Sequence, residues 1–282
     1  MILPGRDVPI RLFLRTLIRE IGEDDLADYG AAVAFSAFLA IFPFLVFVVA
    51  LASLVVDPST LDVIMDQIDR VAPEQVADIL GERLHALSTG TKPGLLTVSA
   101  VGAIWAASGA VTALTSALNS ANDIRDRRPF WKTRGLALLV TVAAAALVIV
   151  ASAIAIAAPA VAAHLGGAAQ ILILILRWPV AAGLMLVVIA CLYHFLPDTD
   201  QSFALITPGS VVAVAGWIAA SLAFSLYVGH FGKYEVVYGA LGSVIVLLLW
   251  MWISALVILV GAEINAVLSQ LAARPAEPGV PR

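Results

Sequence analysis

Between residues 239 and 268 the chain carries thirty consecutive positions with a single charged side chain, Glu263. A hydrocarbon bilayer takes about 20 mainly apolar residues of α-helix to cross. A run this long is not the core helix of a small soluble domain. Five more stretches of the same kind occur, at approximately 31–56, 95–118, 136–161, 171–196 and 208–228. Backbone N–H and C=O groups find no water in lipid, so such stretches cross as helices that bond internally. Composition agrees: 61% of the residues are apolar and 13% charged, where a soluble domain is about half apolar and a quarter charged. The expected fold is all-α, a polytopic membrane protein with six transmembrane helices. The start of the fourth span is the least regular, because Arg177, Trp178 and Pro179 interrupt it.

Orientation follows from the cations, since loops rich in Lys and Arg stay in the cytoplasm. Arg6, Arg11, Arg15 and Arg19 precede the first span. Arg125, Arg127, Arg128, Lys132 and Arg134 lie between the second and third, and Arg274 and Arg282 follow the sixth. Those eleven stand against Arg70, Arg83, Lys92 and Lys233 on the other side, with Arg177 ambiguous. Both termini are therefore expected in the cytoplasm. The first 29 residues hold four arginines and six acids, which does not fit a cleaved signal peptide.

The domain plan has three parts. Residues 1–30 form a cytoplasmic segment with an amphipathic helix. Residues 31–268 form the transmembrane domain, and residues 269–282 a disordered cytoplasmic tail. In the first part, Ile10, Phe13, Leu14, Leu17, Ile18 and Ile21 recur at helical spacing, with Arg11, Arg15 and Arg19 on another side. Such a helix either lies on an anionic leaflet or packs on the cytoplasmic ends of the spans. Within the second part, residues 57–93 form an acidic extracytoplasmic loop. Leu61, Ile64, Met65 and Ile68, then Val76, Ile79, Leu80, Leu84 and Leu87, read as two short helices.

Polar residues inside spans are costly and tend to face other helices or water. Three stripes stand out. Thr97, Trp105, Ser108, Thr112, Thr115 and Asn119 line the second span. Ser210, Trp217, Ser221 and Ser225 line the fifth, and Ser243, Trp250, Ser254, Gly261 and Asn265 the sixth. They are either close helix contacts or the lining of a groove between spans two, five and six. Two charges sit deep, Arg177 and Glu263. Arg177 either marks a transport path or snorkels to the outer interface. Glu263 either marks that path or pairs with a cation between Arg125 and Arg134. Pro43 interrupts the first span and kinks it.

Several chemistries are excluded or weak. No Walker A loop occurs, since the Gly229 to Lys233 stretch fails its spacing, so no ATPase is encoded. No H-E-x-x-H, C-x-x-C or G-x-S-x-G occurs. Asp198 and Asp200 form a D-x-D that could hold a hard cation or be a solvated turn. The lone Cys191 lies in an apolar run, as a small buried hydrophobe does. No cofactor, metal centre or nucleic-acid partner is expected. Membrane lipids are the expected partners, and exposed small-residue faces permit a homo-oligomer.

Three segments carry a resemblance. They are AAVAFSAFLAIFPFLV from Ala31, ALNSANDIRDRRPFWKTRGLAL from Ala117, and YGALGSVIVLLLWMWISALVILVGAEINAVL from Tyr238. They resemble the YihY/BrkB family of bacterial inner-membrane proteins over nearly the whole chain, from about Leu17 to Leu268. The resemblance implies six spans and a cytoplasmic N-terminus. Pro43, Asn119, Arg128, Tyr238, Gly239, Trp250, Gly261, Glu263 and Asn265 match the family's recurring positions, to which it assigns no roles. Members have carried the label ribonuclease BN, regarded as mistaken; others are linked to serum resistance or proposed as transporters, including of lipids. Relatives tend to be basic after the fourth span, where this chain has Asp198 and Asp200.

The function expected from these features is transport across the inner membrane of a lipid or other amphiphile, without enzymatic activity. A non-catalytic scaffold for envelope assembly is the alternative, and a ribonuclease the least favoured. The candidate path comprises Arg177, Glu263, Asn265, Asn119, Trp105, Ser108, Thr112, Trp250 and Ser254. The candidate headgroup surface comprises Arg11, Arg15, Arg19, Arg125, Arg127 and Arg128.

Overall fold

The computed structural model describes residues 9–55, 93–165, 167–199, 202–230 and 240–273. Seven helices account for most of these residues: α1 (Ile10–Glu23), α2 (Leu26–Val55), α3 (Pro93–Ser120), α4 (Phe130–Leu165), α5 (Gly167–Phe195), α6 (Pro208–His230) and α7 (Ala240–Ala273). No strand occurs among the described residues. Five of these helices, α2, α3, α4, α6 and α7, are long and apolar enough to cross a membrane, and α5 contributes a shorter apolar segment, Pro179–Phe195. The expected loop helices of residues 57–93 lie outside the described residues except for Pro93, which opens α3.

Each long helix packs on its neighbour in sequence, α2 on α3, α3 on α4, α4 on α5, α5 on α6 and α6 on α7. The circuit closes where α7 returns to α2. The pairing of α2 with α3 is the most extensive. There Gly102 faces Pro43, whose Cβ lies 3.9 Å from where a glycine side chain would begin. Small residues let membrane helices approach closely where lipid supplies no hydrophobic drive.

The core sits at one end of this ring, the end where α1 lies. Leu26, Leu114, Leu118, Leu196 and Leu259 pack together from α2, α3, α7 and the residue following α5. Farther along, large side chains such as Val98 and Val101 on α3 and Leu222 and Leu226 on α6 are exposed.

α1 begins after Pro9 and ends at Asp24. Asp25 then takes a left-handed conformation at φ 48°, which stops the helix and starts α2 in a new direction. Asp tolerates this geometry better than most residues with a side chain. The expectation that α1 packs on the ends of the spans is met by one of its faces. Phe13, Leu17 and Ile21 pack against Ile264, Val267, Leu268 and Leu271. Ile10, Leu14 and Ile18 remain exposed. α7 runs to Ala273 and does not end near Leu268, because Leu271 still packs on α1.

At the crossing of α6 and α7 the backbones nearly touch. A Cβ on Gly209 would run into the Gly261 carbonyl and the Asn265 amide, and one on Gly261 would meet the Tyr193 hydroxyl and the Gly209 carbonyl. Gly261→Val should therefore lower stability by at least the roughly 1–3 kcal/mol typical of overpacking, read as an earlier unfolding midpoint in detergent. Gly109→Ala, where a Cβ meets nothing within 4 Å, should leave that midpoint unchanged or raise it.

Candidate functional site

Polar side chains gather at four places. The first ties the α3–α4 turn to the end of α5. Asn119 is 3% exposed; its Oδ1 accepts the Asp198 N–H at 2.8 Å and its Nδ2 donates to Asp126 at 3.3 Å. Arg128 grips Asp126 with two guanidinium bonds of 2.9 and 3.0 Å and gives a third, of 2.7 Å, to the Leu196 carbonyl. Asp198 also accepts the Arg127 N–H at 3.1 Å. The hydrogen bond from Arg128 is the main reason the Asp126 carboxyl is held below the usual carboxylate range. This knot closes carbonyls and N–H groups that the helix ends leave open.

The second place is the start of α6. Asn265 accepts the Gly209 N–H at 2.8 Å and donates to the Thr207 hydroxyl at 2.9 Å. That hydroxyl accepts the Ser210 N–H at 3.0 Å, the usual task of a Thr at a helix N-cap. Farther along the same pair of helices, the Trp217 indole donates to Ser254 at 3.1 Å and stands edge-on to Trp250. Of the stripes on α6 and α7, Trp217, Trp250, Ser254, Gly261 and Asn265 thus serve contact between those helices, while the buried Ser221 hydroxyl has no partner among the described residues.

The third place is the seam between α3 and α4. The Arg134 guanidinium donates to the Trp105 carbonyl at 2.8 Å and to the Thr112 hydroxyl at 3.3 Å. It also lies 4.2 Å from the centre of the Trp105 ring. Ser108 donates to the same Trp105 carbonyl at 2.7 Å. Trp105 and Thr112 fall inside the candidate span Thr97–Ser120, and Arg134 inside Phe130–Leu147. An Arg costs up to about 2.5–3.5 kcal/mol at mid-membrane on insertion scales and less towards the interface, and Arg134 lies four residues inside the start of α4. Hydrogen bonds to a charged group return about 1.5–3 kcal/mol each, and a cation over an aromatic face about 0.5–2 kcal/mol. The position is thus tolerable, but no carboxylate pairs with Arg134 among the described residues. Its buried Nε has no partner there either. Trp105 is 51% exposed, so the cation sits beside an open edge.

The fourth place lies where α1, the α1–α2 elbow and the α3–α4 turn meet α7. Glu263 is 1% exposed, and neither carboxyl oxygen has a hydrogen-bond partner among the described residues. Its titratable neighbours are the acids Asp24, Glu20 and Asp123. Glu20 is bonded by Arg19 at 2.5 Å, and Asp123 by Gln270 at 2.9 Å. Burial first, then the charge of Asp123, pushes the Asp24 carboxyl up to about 6.

The expected site residues therefore separate. Asn119, Asn265, Trp250 and Ser254 bind helices together. Trp105, Ser108 and Thr112 belong to the Arg134 seam. α3 packs on α2 and α4 and meets α7 through Leu118 and Leu259, and α6 packs on α5 and α7. Glu263 does not pair with a cation between Arg125 and Arg134; Arg128 is held by Asp126 instead. The Arg177 side chain lies outside the described ones, and Asp200 outside the described residues. Of the headgroup cations, Arg11, Arg15, Arg125 and Arg127 are exposed, while Arg19 pairs with Glu20 and Glu23 and Arg128 is half-buried in the knot. Sequence reasoning missed Arg134 and Asp24. The available signal for Arg134 was Phe130-Trp131, an aromatic pair of the kind that marks a membrane interface, followed within one turn by a cation. Among the described residues no three His, Cys, Asp or Glu are placed to hold a metal ion.

A chain whose described elements are all helices, five of them long and apolar enough to cross a bilayer, is a polytopic membrane protein. The chain belongs to the virulence factor BrkB family, whose model matches residues 17–281. It is 30% identical over 271 residues to the ribonuclease-like protein YfkH of Bacillus subtilis (strain 168), covering 94% of this chain and 98% of that protein. It is 37% identical over 87 residues to a UPF0761 membrane protein of Pseudoalteromonas translucida (strain TAC 125), covering 31% of this chain and 29% of that one. A UPF0761 membrane protein of Albidiferax ferrireducens is 26% identical over 280 residues, covering 93% of this chain and 64% of its own. No solved structure matches the chain.

The raised Asp24 value has a defined consequence for stability. A carboxyl that binds its proton more tightly when folded stabilises the fold at low pH. That contribution is complete below the ordinary value of 3.8 and is lost as pH rises through about 6. Asp24→Asn should therefore unfold at a higher temperature than the parent chain above pH 6, and the gap should close as pH falls towards 4.

Proposed function

We propose that this protein moves a lipid or other amphiphile with an anionic head across the bacterial inner membrane, with α1 and both chain ends in the cytoplasm. The observation that carries this reading is the Arg134 seam. A guanidinium in the α4 span against α3, held by a carbonyl and a hydroxyl but by no acid among the described residues, keeps a net positive charge beside an exposed tryptophan. Charge in a membrane interior is expensive and marks function by default. A phosphate ester at the head of a lipid has the charge and the acceptor oxygens that a guanidinium fork takes. Arg11 and Arg15 on α1, with Arg125 and Arg127 on the α3–α4 turn, form an exposed basic surface that would attract such heads from an anionic leaflet.

The ribonuclease-like name of the Bacillus relative finds little support in this chain's side chains. A metal nuclease orients water with clustered carboxylates or histidines. Here Asp126 and Asp198 are committed to Arg128 and to backbone N–H groups.

The test is headgroup-dependent translocation of fluorescent phospholipids in liposomes holding the purified chain. Wild type should deplete the protected pool faster than empty liposomes. Arg134→Gln should slow this by about tenfold for anionic lipids, the effect of about 1.4 kcal/mol on a barrier, with little change in the yield of folded protein. Equal rates for wild type and empty liposomes would remove the reading.

A further inference from the structure

We propose that Glu263 of α7 and Asp24 of the α1–α2 elbow form a proton-binding site, with one proton held between the two carboxyl groups, and that this proton keeps α1 and its elbow seated on α7. The inference rests on the packing at this end of the molecule and does not depend on what is transported.

Glu263 is buried with both oxygens unpartnered among the described residues. An ionised carboxylate in that position, with no cation and no donor, costs several kcal/mol. The groups that face it offer no relief. From α1 comes Glu20, already bonded to Arg19, which also reaches Glu23 at 3.8 Å. From the elbow comes Asp24, and from the α3–α4 turn comes Asp123, bonded to Gln270. Arg128, the half-buried cation of that turn, is occupied by Asp126 and lies 3.7 Å from Asp198. Every charged neighbour that Glu263 meets among the described residues is therefore an acid.

A buried carboxyl beside a partly buried one does not readily ionise while its neighbour is charged; one keeps its proton and the pair titrates as a unit. The protonated member then supplies the donor that the arrangement lacks. A divalent metal ion is disfavoured as the ligand because no three His, Cys, Asp or Glu among the described residues are placed around one.

The two carboxyls belong to elements that otherwise meet through a small apolar contact, chiefly Leu17 of α1 against Ile264, Val267 and Leu271 of α7. Loss of the proton would place two negative charges across that contact. Binding of the proton and seating of α1 are thus linked: each favours the other.

Infrared spectroscopy of the full chain in liposomes tests this directly. At neutral pH the wild type should show the carbonyl stretch of a protonated carboxylic acid, lost in Glu263→Gln and shifted or lost in Asp24→Asn. Amide hydrogen exchange across α1, corrected for its intrinsic pH dependence, should speed up in wild type as that band titrates away. In Glu263→Gln, which keeps the side-chain volume and a neutral donor, it should stay slow at every pH. A band unchanged in both variants would overturn the proposal. So would a band that appears only when sodium is withdrawn, since the ligand would then be a monovalent cation. Protection of α1 that follows the same pH course in wild type and in Glu263→Gln would overturn the seating.

Discussion

Inside a bilayer a polar group keeps whatever partner the protein gives it, because lipid offers none. That constraint shapes this chain more than any apolar contact. Its helix ends are closed by side chains from distant segments: Asn119 and Arg128 hold the end of α5 to the α3–α4 turn, and Asn265 holds the start of α6 to α7. The apolar cluster around Leu118, Leu196 and Leu259 lies between these ties. The far parts of α3 and α6 carry exposed large side chains, which suits surfaces facing lipid. The ring is therefore fastened at the α1 end.

Much of this was legible in the sequence. The six apolar runs coincide with the six long helices to within several residues, because hydrophobic length is a local property. Ile10 to Ile21 read as a helix for the same reason, through the spacing of Phe13, Leu17 and Ile21. What the sequence could not fix was pairing. Glu263 read equally well as a partner for the basic turn, yet the turn contains its own acid, Asp126, which takes Arg128 first. Asp24 was one of six acids among the first 29 residues, with no local pattern to single it out. Its partial burial arises only when the elbow folds back over α7, a long-range event.

The polar stripes divide in the same way. On α6 and α7 they mark contact where Gly209 faces Gly261 and Trp217 meets Ser254. On α3 the stripe is part contact and part something else. Thr115 closes on its own helix at Val111, whereas Trp105 and Thr112 turn towards Arg134. Counting Arg134 among the loop cations gave the orientation argument one more residue and hid a cation that lies within a candidate span and bonds to its neighbour. The family match over residues 17–281 assigns the chain to a lineage of membrane proteins. It leaves the seam and the acid pair as the features from which function has to be argued.

The central claim is that Arg134 keeps an unneutralised charge for an anionic lipid head. Native mass spectrometry of the chain extracted in mild detergent, wild type beside Arg134→Gln, tests it most directly. The account expects wild type to retain anionic phospholipid through desolvation and the variant to lose it, with zwitterionic lipid retained equally by both. Identical lipid retention by the two proteins would contradict it.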